Sequence, residues 1–302
     1  MIKNEYETLP WQRLKSEDPK AAELVRQLMS EDSYKMANED LSFINSYEAR
    51  GIRLGLDYQK AELAMERLGV LHTVVVFGSA RIVEYQTAKK RLSVIEDELD
   101  KNPADADLRS KFSVAQRMLE KSIYYDDARR FGSLVGNSGK GPKDCNVSVM
   151  TGGGPGIMEA ANRGAFDVGA KSIGMNIHLP HEQFPNPYIT PELCFQFHYF
   201  AIRKLHFFIR AKALVVYPGG FGTFDELFEL LTLVQTKKME PIPIVLVSKY
   251  YWNRAIDFTF LREEGVVGHA DLDIFKIVDN ADEAWNHIIS WYKNKKEPLF
   301  GD

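Results

Sequence analysis

The sequence predicts an α/β protein built on a doubly wound parallel sheet, and three observations indicate this fold class. Short, continuously apolar runs such as "HTVVVF" and "PIPIVLV" recur from residue 72 onward. Amphipathic stretches follow them, with apolar residues three and four apart, as is typical of helices. Glycine-rich turns close three of the runs. Strands that are buried on both faces and alternate with helices are what a covered parallel sheet requires.

The elements of this Rossmann-like domain follow one another at regular spacing over residues 71–296. We expect strands within 72–80, 146–156, 171–180, 213–223, 241–248 and 274–279, with a further short strand within 193–200. We expect helices over 157–169, 200–212, 224–238, 251–265 and 281–294.

Three segments lie outside this alternation. Residues 1–70 are charged and helix-prone, which predicts a helical N-terminal extension. Residues 84–123 carry two amphipathic segments separated by "KNPADAD", which predicts an inserted helical hairpin in which Asp105 or Asp107 caps the second helix. Residues 297–302 form a C-terminal tail.

Composition restricts the classes of partner. The chain has 302 residues, 45% hydrophobic content and a net charge of -4, so it has a sizeable core and no basic footprint for nucleic acid or an anionic membrane. We expect a soluble cytoplasmic protein with a small polar ligand. Cys145 and Cys194 are far apart and indicate neither a disulfide framework nor a zinc site. The spacing of His178 and His181, separated by a proline, disfavours a metal pair.

Glycine-rich turns follow three predicted strands, where an open parallel sheet binds its ligands. Without a Cβ, glycine lets backbone N–H groups approach an anion, and the following helix N-terminus favours negative charge. The turns contain Gly78 with Ser79; Gly152, Gly153 and Gly154; and Gly219, Gly220, Gly222 and Thr223. Three such turns on one sheet edge predict a ligand that carries a phosphate.

Two common nucleotide motifs do not match. The glycines of "TGGGPGIMEAAN" lack the third glycine or alanine of GxGxxG, and no acidic residue follows at the distance required to bind a ribose. The chain contains no GxxxxGK[ST] loop. The sequence therefore disfavours both a nicotinamide dehydrogenase and an ATP-driven enzyme.

Charged residues accompany the turns. Thr223 and Glu226 form the T-x-x-E pattern of a capping box, which on its own gives Glu226 a structural role. The same position on the first turn of a helix would also bring its carboxylate to the strand-end cleft. Arg203 and Lys204 begin another helix after a short strand, which places them toward the same cleft.

These motifs together resemble the Lonely Guy family of phosphoribohydrolases, which is often mislabelled as lysine decarboxylases. "PGGFGTFDE" is similar to the family's PGGxGTxxE motif, "TGGGPGIMEAAN" is similar to a GGGxxGxMxA-type motif, and "FGSAR" and "IRK" fall in the expected order. The resemblance covers about residues 71–270. It implies hydrolysis of the N-glycosidic bond of a nucleoside 5'-monophosphate, AMP or an N6-modified AMP such as a cytokinin riboside monophosphate, to free base and ribose 5-phosphate.

The resemblance also implies roles for individual residues. Glu226 and Arg203 would be the catalytic pair, and no metal or organic cofactor would be needed. The substrate-binding residues would be Gly78, Ser79, Gly152, Gly153, Gly154, Met158, Lys204, Gly219, Gly220, Gly222 and Thr223, with Met158 near the base. The family further implies a homodimer, which the N-terminal extension and the hairpin would enlarge or build into a higher homo-oligomer.

Alternatives remain at this point. "FAIRK" departs from the Met-His-Glu that precedes Arg-Lys in many cytokinin-activating members, so the base preference stays open. A non-catalytic carrier of a nucleotide or of molybdenum cofactor has the same sheet and turns, but it need not keep the Arg203 and Glu226 pair. Amino-acid decarboxylation would require a lysine that binds pyridoxal phosphate, and the sequence does not indicate one.

Overall fold

A computed structural model of the chain describes residues 20–139, 146–178 and 184–299. The chain divides into two compact units, residues 1–56 and 57–302. In the described part of the first unit, α1 spans Ala21–Ser30, a 3-10 turn spans Asp32–Tyr34 and α2 spans Leu41–Ile44. Helix α3 spans Arg50–Arg67, and the boundary between the units falls within it.

The second unit begins at residue 57 rather than at the predicted residue 71. Ala61 and Met65 in the second half of α3 are buried in the core of this unit. The carboxylate of Glu62 accepts two 2.6 Å hydrogen bonds from the guanidinium of Arg210. Because the extension is rich in charged residues, the sequence pattern did not indicate that the last turns of α3 pack as part of the α/β domain.

A seven-stranded parallel sheet forms the centre of the second unit, in the order β4-β3-β2-β1-β5-β6-β7. The strands span His72–Phe77 (β1), Val147–Thr151 (β2), Ser172–Ile177 (β3), Cys194–Phe197 (β4), Ala211–Val216 (β5), Ile244–Val247 (β6) and Phe275–Val278 (β7). The doubly wound fold class predicted from the sequence is therefore confirmed.

Helices cover both faces of this sheet. They span Tyr85–Lys101 (α4), Ala106–Glu120 (α5), Ile123–Gly136 (α6), Ile157–Asp167 (α7), Phe200–Ile209 (α8), Phe221–Gln235 (α9), Lys249–Ala255 (α10), Phe258–Glu263 (α11) and Ala281–Lys295 (α12). Short 3-10 turns span Pro191–Leu193 and His269–Asp273.

Alternate residues of each strand enter two separate cores, because successive side chains point to opposite faces of a sheet. Val74 and Val76 of β1 pack with α6, α7 and α12, whereas Val75 and Phe77 pack with α3, α8 and α9. Both faces are covered along the whole strand. The continuous apolar runs in the sequence have this cause.

The predicted insertion consists of α4 and α5, which pack against each other. Asp105 caps α5 by accepting hydrogen bonds from the N–H groups of Asp107 at 2.8 Å and Leu108 at 3.1 Å. A new helix, α6, begins at Ile123 and returns the chain to the sheet.

One predicted helix is wrong. Residues 251–265 do not form a single helix, because α10 ends at Ala255 and α11 begins at Phe258. Asp257 lies between them and caps α11 by accepting a 2.9 Å hydrogen bond from the N–H of Phe260. Aspartate favours this non-helical cap position. Part of the predicted tail and of the N-terminal extension lies outside the described residues.

Candidate active site

A cleft of about 740 Å³ opens beyond the carboxyl ends of β1, β2 and β5. The chain winds from β1 through β2 and β3 to β4 on one side, whereas β5, β6 and β7 lie on the other. Neighbouring strands β1 and β5 therefore form the topological switch point, where sheets of this class bind ligands. We call this space the strand-end cleft.

Most of the predicted site residues line the strand-end cleft, although they come from distant parts of the chain. These residues are Gly78, Ser79, Gly152, Met158, Arg203, Gly219, Gly220, Gly222, Thr223 and Glu226. Gly153, Gly154 and Lys204 are not among the lining residues.

Backbone contacts join the three glycine turns to one another. The N–H of Ser79 donates to the carbonyl of Pro218 at 3.0 Å, and the N–H of Ile157 donates to the carbonyl of Ser79 at 3.1 Å. Gly156 has a φ of +73°, and a Cβ at this position would lie 2.4 Å from the Ser79 carbonyl oxygen. Only glycine accommodates both this conformation and this close approach.

The helices that follow two of these turns begin without side-chain caps. Gly156 occupies the N-cap position of α7, Gly220 occupies that of α9, and neither cap forms a side-chain hydrogen bond. Backbone N–H groups in the first turn of a helix favour an anion. Both N-termini meet at the strand-end cleft and bring the positive ends of their dipoles to it.

The predicted capping box is wrong. Helix α9 begins at Phe221, so Thr223 lies inside its first turn and the N-cap is Gly220. Glycine has no side chain to accept the N–H that the T-x-x-E pattern assigns to threonine. The side chain of Glu226 therefore has no cap to complete, and it lies in the wall of the strand-end cleft.

Arg203 is held at the base of the cleft by two contacts. Its Nε donates a 2.7 Å hydrogen bond to the carbonyl of Met175 in β3, and its guanidinium lies 5.0 Å from the ring centroid of Phe207. Burial lowers the pKa of Arg203, although the guanidinium stays ionised at physiological pH.

The glycine at residue 152 makes room for this guanidinium. A Cβ on Gly152 would lie 2.5 Å from Nη2 of Arg203 and 2.8 Å from Sδ of Met158. Any other residue at this position would force one of these side chains to move. The "GGG" turn therefore shapes the cleft as well as closing β2.

Glu226 lies next to Arg203 in the wall of the cleft. Nη1 of Arg203 lies 3.4 Å from Oε1 of Glu226, and the two side chains are only 10% and 12% exposed. Burial raises the pKa of Glu226 to about 7, and the positive charge of Arg203 opposes that shift. A carboxylate with this pKa exchanges protons near neutral pH, which is a property of catalytic acids and bases.

Lys204 does not face the strand-end cleft, contrary to the prediction. Its ammonium group forms ion pairs with Asp225 at 2.7 Å and Glu229 at 3.0 Å, both on α9. Adjacent residues on a helix point about 100° apart. Because Arg203 faces the cleft, Lys204 is turned away from it and joins α8 to α9.

Gly153 and Gly154 belong to the turn after β2, and hydrogen bonds from Asn186 hold their carbonyl groups in place. The N–H of Asn186 donates to the carbonyl of Gly153 at 2.8 Å, and its side-chain amide donates to that of Gly154 at 3.1 Å. The same amide donates to Asn162, whose own side chain is bonded to Thr151 and, through its amide, to Ser172. These buried polar side chains fix the path of the backbone at the floor of the cleft.

Several lining residues are missing from the sequence prediction. Arg81 and Lys121 bring positive charge to the cleft, and Met118, Phe200 and Tyr251 contribute apolar surface. Arg81 belongs to "FGSAR" and lies close to a predicted turn, so the sequence could have indicated it as a site residue. Met118 and Lys121 come from the inserted hairpin, and nothing in its amphipathic pattern indicated that its end reaches the site.

The described residues were compared with the requirements of a metal site and of a membrane-spanning helix. Within residues 20–139, 146–178 and 184–299, no cluster of three or more His, Cys, Asp and Glu side chains has the geometry to hold a metal ion. His181 and Cys145 lie outside these ranges. No helix among the residues described is both long enough and apolar enough to span a membrane.

The part of the chain that contains Arg203 and Glu226 matches a known protein family. Residues 158–288 match the model of a family described as "Possible lysine decarboxylase". A curated relative from Oryza sativa subsp. japonica, "Probable cytokinin riboside 5'-monophosphate phosphoribohydrolase LOG4", is 30% identical over 138 residues, which cover 45% of this chain. The alignment spans 59% of that relative's own length.

A solved structure shows a weaker similarity. The X-ray structure of TM1055, a structural-genomics target, is similar over 72% of this chain and 99% of that chain, with 18% identity and a TM-score of 0.42. The fold assignment rests on the seven-stranded sheet itself. The family match and the curated relative confirm the resemblance to the Lonely Guy family that the motifs predicted.

Proposed function

We propose that this chain, which is related to the Lonely Guy family, hydrolyses the N-glycosidic bond of nucleoside 5'-monophosphates. The products are the free base and ribose 5-phosphate. One observation carries the proposal: Arg203 and Glu226 form a buried pair at the switch point of the sheet, beside uncapped helix N-termini. A carrier protein needs to bind its ligand, but it has no need for a carboxylate with a pKa near 7.

The chemistry of the glycosidic bond explains why a carboxylate is needed. As the bond between C1' and the base nitrogen breaks, its electron pair goes to the base and positive charge develops on the ribose. A carboxylate close to the ribose stabilises that charge. Glu226 would contact the ribose hydroxyls and take a proton from the water molecule whose oxygen bonds to C1'. The departing base gains a proton from solvent.

Arg203 has a different role in this proposal. A guanidinium stays ionised and is a poor proton donor, so Arg203 would act by its charge and by its hydrogen bonds. Its bond to the Met175 carbonyl fixes the side chain before the substrate arrives. Preorganised charge of this kind stabilises electron density on the leaving base without reorganisation during the reaction.

The glycine turns would bind the 5'-phosphate. Gly219, Gly220, Gly222 and Thr223 belong to the turn at the start of α9, and Ser79 is bonded to that turn through Pro218. Binding energy from a phosphate remote from the reacting bond can be used to orient C1' toward Glu226. Arg81 and Lys121, which also line the cleft, would add attraction for the dianion.

The base is the part of the substrate that experiment has to identify. The relative's name supports cytokinin riboside 5'-monophosphates, which are N6-modified AMP, as candidates, and we add AMP itself to the proposal. Phe200 and Met158 line the cleft and offer apolar surface to a base. Phe200, Ala201 and Ile202 stand where many cytokinin activators have Met-His-Glu, so we include plain purine and pyrimidine nucleotides among the substrates to be tested.

We also propose that the chain forms a homodimer through α8 and α9. Apolar side chains are exposed on these two helices, and a second copy of the same surface would cover them. They are Phe200, Leu205, Ile209, Phe221 and Phe228. Light scattering on the wild type and on Leu205→Glu tests this proposal: a dimeric mass that falls to that of a monomer supports it, and a monomeric wild type contradicts it.

The function is tested by incubating the purified chain with AMP, GMP, CMP and isopentenyl-AMP and separating the products by chromatography. Hydrolysis gives free base and ribose 5-phosphate in equal amounts. We expect at least one nucleotide to be cleaved by the wild type and none by Glu226→Ala. Tight nucleotide binding without turnover would instead identify a carrier, and absence of both binding and cleavage would refute the proposal.

A further inference from the structure

Tyr251 connects the next strand of the sheet to the glycine turn. It lies on α10, which follows β6, and its side chain lines the strand-end cleft. Its hydroxyl donates a hydrogen bond to the carbonyl oxygen of Gly219. Neither the PGGxGTxxE motif nor the "GGG" turn includes Tyr251, and it is more than twenty residues from either in the sequence.

The residues around Tyr251 hold its ring in place. The neighbouring Trp252 is fully buried, and its indole N–H donates to the carbonyl of Val216 in β5 at 3.3 Å. The rings of Tyr251 and Trp252 meet edge to face with centroids 5.2 Å apart. Because Trp252 anchors α10 to the strand that precedes the glycine turn, the hydroxyl of Tyr251 has a fixed position relative to that turn.

Ser248 begins α10 in an unusual backbone conformation. Its φ of 88° and ψ of 93° are rare for a residue with a side chain, and such strain persists only where surrounding contacts impose it. The contacts are present: the N–H of Ser248 donates to the Val278 carbonyl at 2.7 Å, and its Oγ accepts from the N–H of Tyr251 at 3.1 Å. The hydroxyl of Tyr124 is hydrogen-bonded to the same Oγ at 2.7 Å.

Side-chain packing in the glycine turn stops at Gly219, which lies against the side chain of Thr223. A Cβ on Gly220 or Gly222 would have no atom within 4 Å, and Phe221 is 96% exposed. Glycine backbones sample more conformations than others, so a turn of this composition needs an external contact to hold one of them. The hydrogen bond from Tyr251 provides that contact.

The geometry of the peptide unit explains the effect on an anion. In a trans peptide the C=O and the following N–H point in opposite directions, so fixing the carbonyl of Gly219 also fixes the N–H of Gly220. Gly220 is the N-cap residue of α9, where backbone N–H groups are available to a ligand. The hydroxyl also occupies the carbonyl oxygen, whose partial negative charge would otherwise repel a phosphate.

We propose that Tyr251 is a positioning residue for the phosphate-binding turn, held in place by Ser248 and Tyr124. The proposal rests on the proposed function, because the turn must bind the 5'-phosphate of a substrate for its orientation to matter. Tyr251 acts through the backbone of Gly219 and does not take part in bond cleavage. Its loss should therefore weaken substrate binding through the phosphate more than it slows the chemical step.

The test compares Tyr251→Phe with Tyr250→Phe, each of which removes one hydroxyl. Tyr250 is the matched control because it is the adjacent residue, 72% exposed, with its ring against Arg254. Steady-state kinetics with the best nucleotide from the panel give kcat and KM, and calorimetry gives the affinity for ribose 5-phosphate. We expect Tyr251→Phe to raise KM and the ribose 5-phosphate Kd roughly three- to tenfold, the effect of one lost hydrogen bond, with a smaller change in kcat.

A second variant and a second ligand separate positioning from general destabilisation. Tyr124→Phe removes the hydroxyl bonded to Ser248, and we expect a change of the same direction and smaller size. Binding of the free base, which has no phosphate, should be the same in Tyr251→Phe as in the wild type. Equal weakening of both ligands in Tyr251→Phe would show a general disturbance of the cleft and overturn the proposal.

The results distinguish this inference from the function on which it rests. If the wild type neither binds nor cleaves a nucleotide, the proposed function fails first. If the wild type cleaves a nucleotide and Tyr251→Phe has unchanged KM and unchanged ribose 5-phosphate affinity, only the role of Tyr251 is refuted. A Tyr250→Phe variant that matches Tyr251→Phe in every measurement would refute it as well.

Discussion

Arg203 and Lys204 are adjacent on α8, and the ion pairs that they form with α9 differ in nearly every respect. The pair of Arg203 with Glu226 is buried and long, at 3.4 Å. The pair of Lys204 with Asp225 is short, at 2.7 Å, and the aspartate is 56% exposed. The outer pair has good geometry, as expected of a structural contact. The inner pair has a longer contact and lines the strand-end cleft, as expected of a site that receives a ligand.

The comparison shows that burial, and not the strength of the contact, marks the residues suited to chemistry. Desolvation raises the pKa of Glu226. Burial acts to lower the pKa of Lys204, but its hydrogen bonds to Asp225 and Glu229 outweigh that effect and leave the pKa raised. A buried pair with incomplete contacts costs stability, and proteins tolerate such a cost at functional sites. The predictions that follow test this difference.

Of the changes to the two adjacent cations, Arg203→Lys is expected to have the larger effect. Lysine keeps the charge but loses the planar guanidinium, and with it the bond to the Met175 carbonyl. We expect kcat/KM for the best nucleotide to fall on the order of 10²–10³-fold. Lys204→Arg is the matched control on the outer side and should stay within about twofold of the wild type. Equal losses in the two variants would show that the inner and outer pairs do not differ in function.

Gly152→Ala should disturb the inner pair without touching either charge. The new Cβ would lie 2.5 Å from Nη2 of Arg203, so the guanidinium must move away from its present position. A small displacement of a catalytic group lowers turnover by roughly 10- to 100-fold. Gly55→Ala is the control, because a Cβ there has no atom within 4 Å. Unchanged kinetics for Gly152→Ala would contradict the close approach of Gly152 to the site.

The pH dependence of activity should report the pKa of Glu226. Because the ionised carboxylate acts on the ribose and on water, kcat/KM should rise with pH, level off above about 7 and fall about tenfold per unit below it. A pH profile from 5 to 9 measures this. A plateau that extends down to pH 5 would contradict the raised pKa of Glu226.

The free energy of unfolding should fall over the pH range in which kcat/KM rises. The raised pKa means that the folded chain binds this proton more tightly than the unfolded chain, so the free energy of unfolding falls as pH rises from 4.5 to about 7. The full effect is roughly 3 kcal/mol, from the size of the shift. Denaturant unfolding of the wild type and of Glu226→Gln at pH 5 and pH 8 isolates it, since the variant lacks the titration.

The smallest effect is expected from Asp225→Asn on the outer side. Asp225 is more than half exposed, and Lys204 keeps its second partner, Glu229. Exposed ion pairs contribute less than about 1 kcal/mol to the free energy of unfolding. Thermal unfolding should shift slightly, and kcat/KM should stay unchanged. A large loss of activity would place Asp225 in the chemistry and remove the distinction between the two pairs.

The sequence predicted the fold because its signals are local and repeated. Each strand buried on both faces produces its own apolar run, and the turns after β1, β2 and β5 contain their own glycines. Helix boundaries were less predictable. The start of α9 at Phe221 depends on where the chain leaves β5. The break before α11 depends on one cap, which the side chain of Asp257 forms.

The site was predictable only where its residues share a motif. Arg203 and Glu226 lie in matching stretches, whereas the bond from Arg203 to Met175 joins residues 28 positions apart. The direction of Lys204 depends on the rotation of α8, which the sequence does not define. Tyr251, Met118 and Lys121 reach the cleft from elements outside every motif, so only the folded chain brings them there.

The most direct test of the inner pair compares Glu226→Gln with Glu229→Gln in the release of free base from the best nucleotide of the panel. Both changes replace a carboxylate on α9 by an amide of the same size, one at the inner pair and one at the outer cluster. We expect release to fall on the order of 10²–10⁴-fold for Glu226→Gln and to stay within about twofold for Glu229→Gln. Equal rates of release in Glu226→Gln and the wild type would contradict the proposed catalytic role of the buried pair.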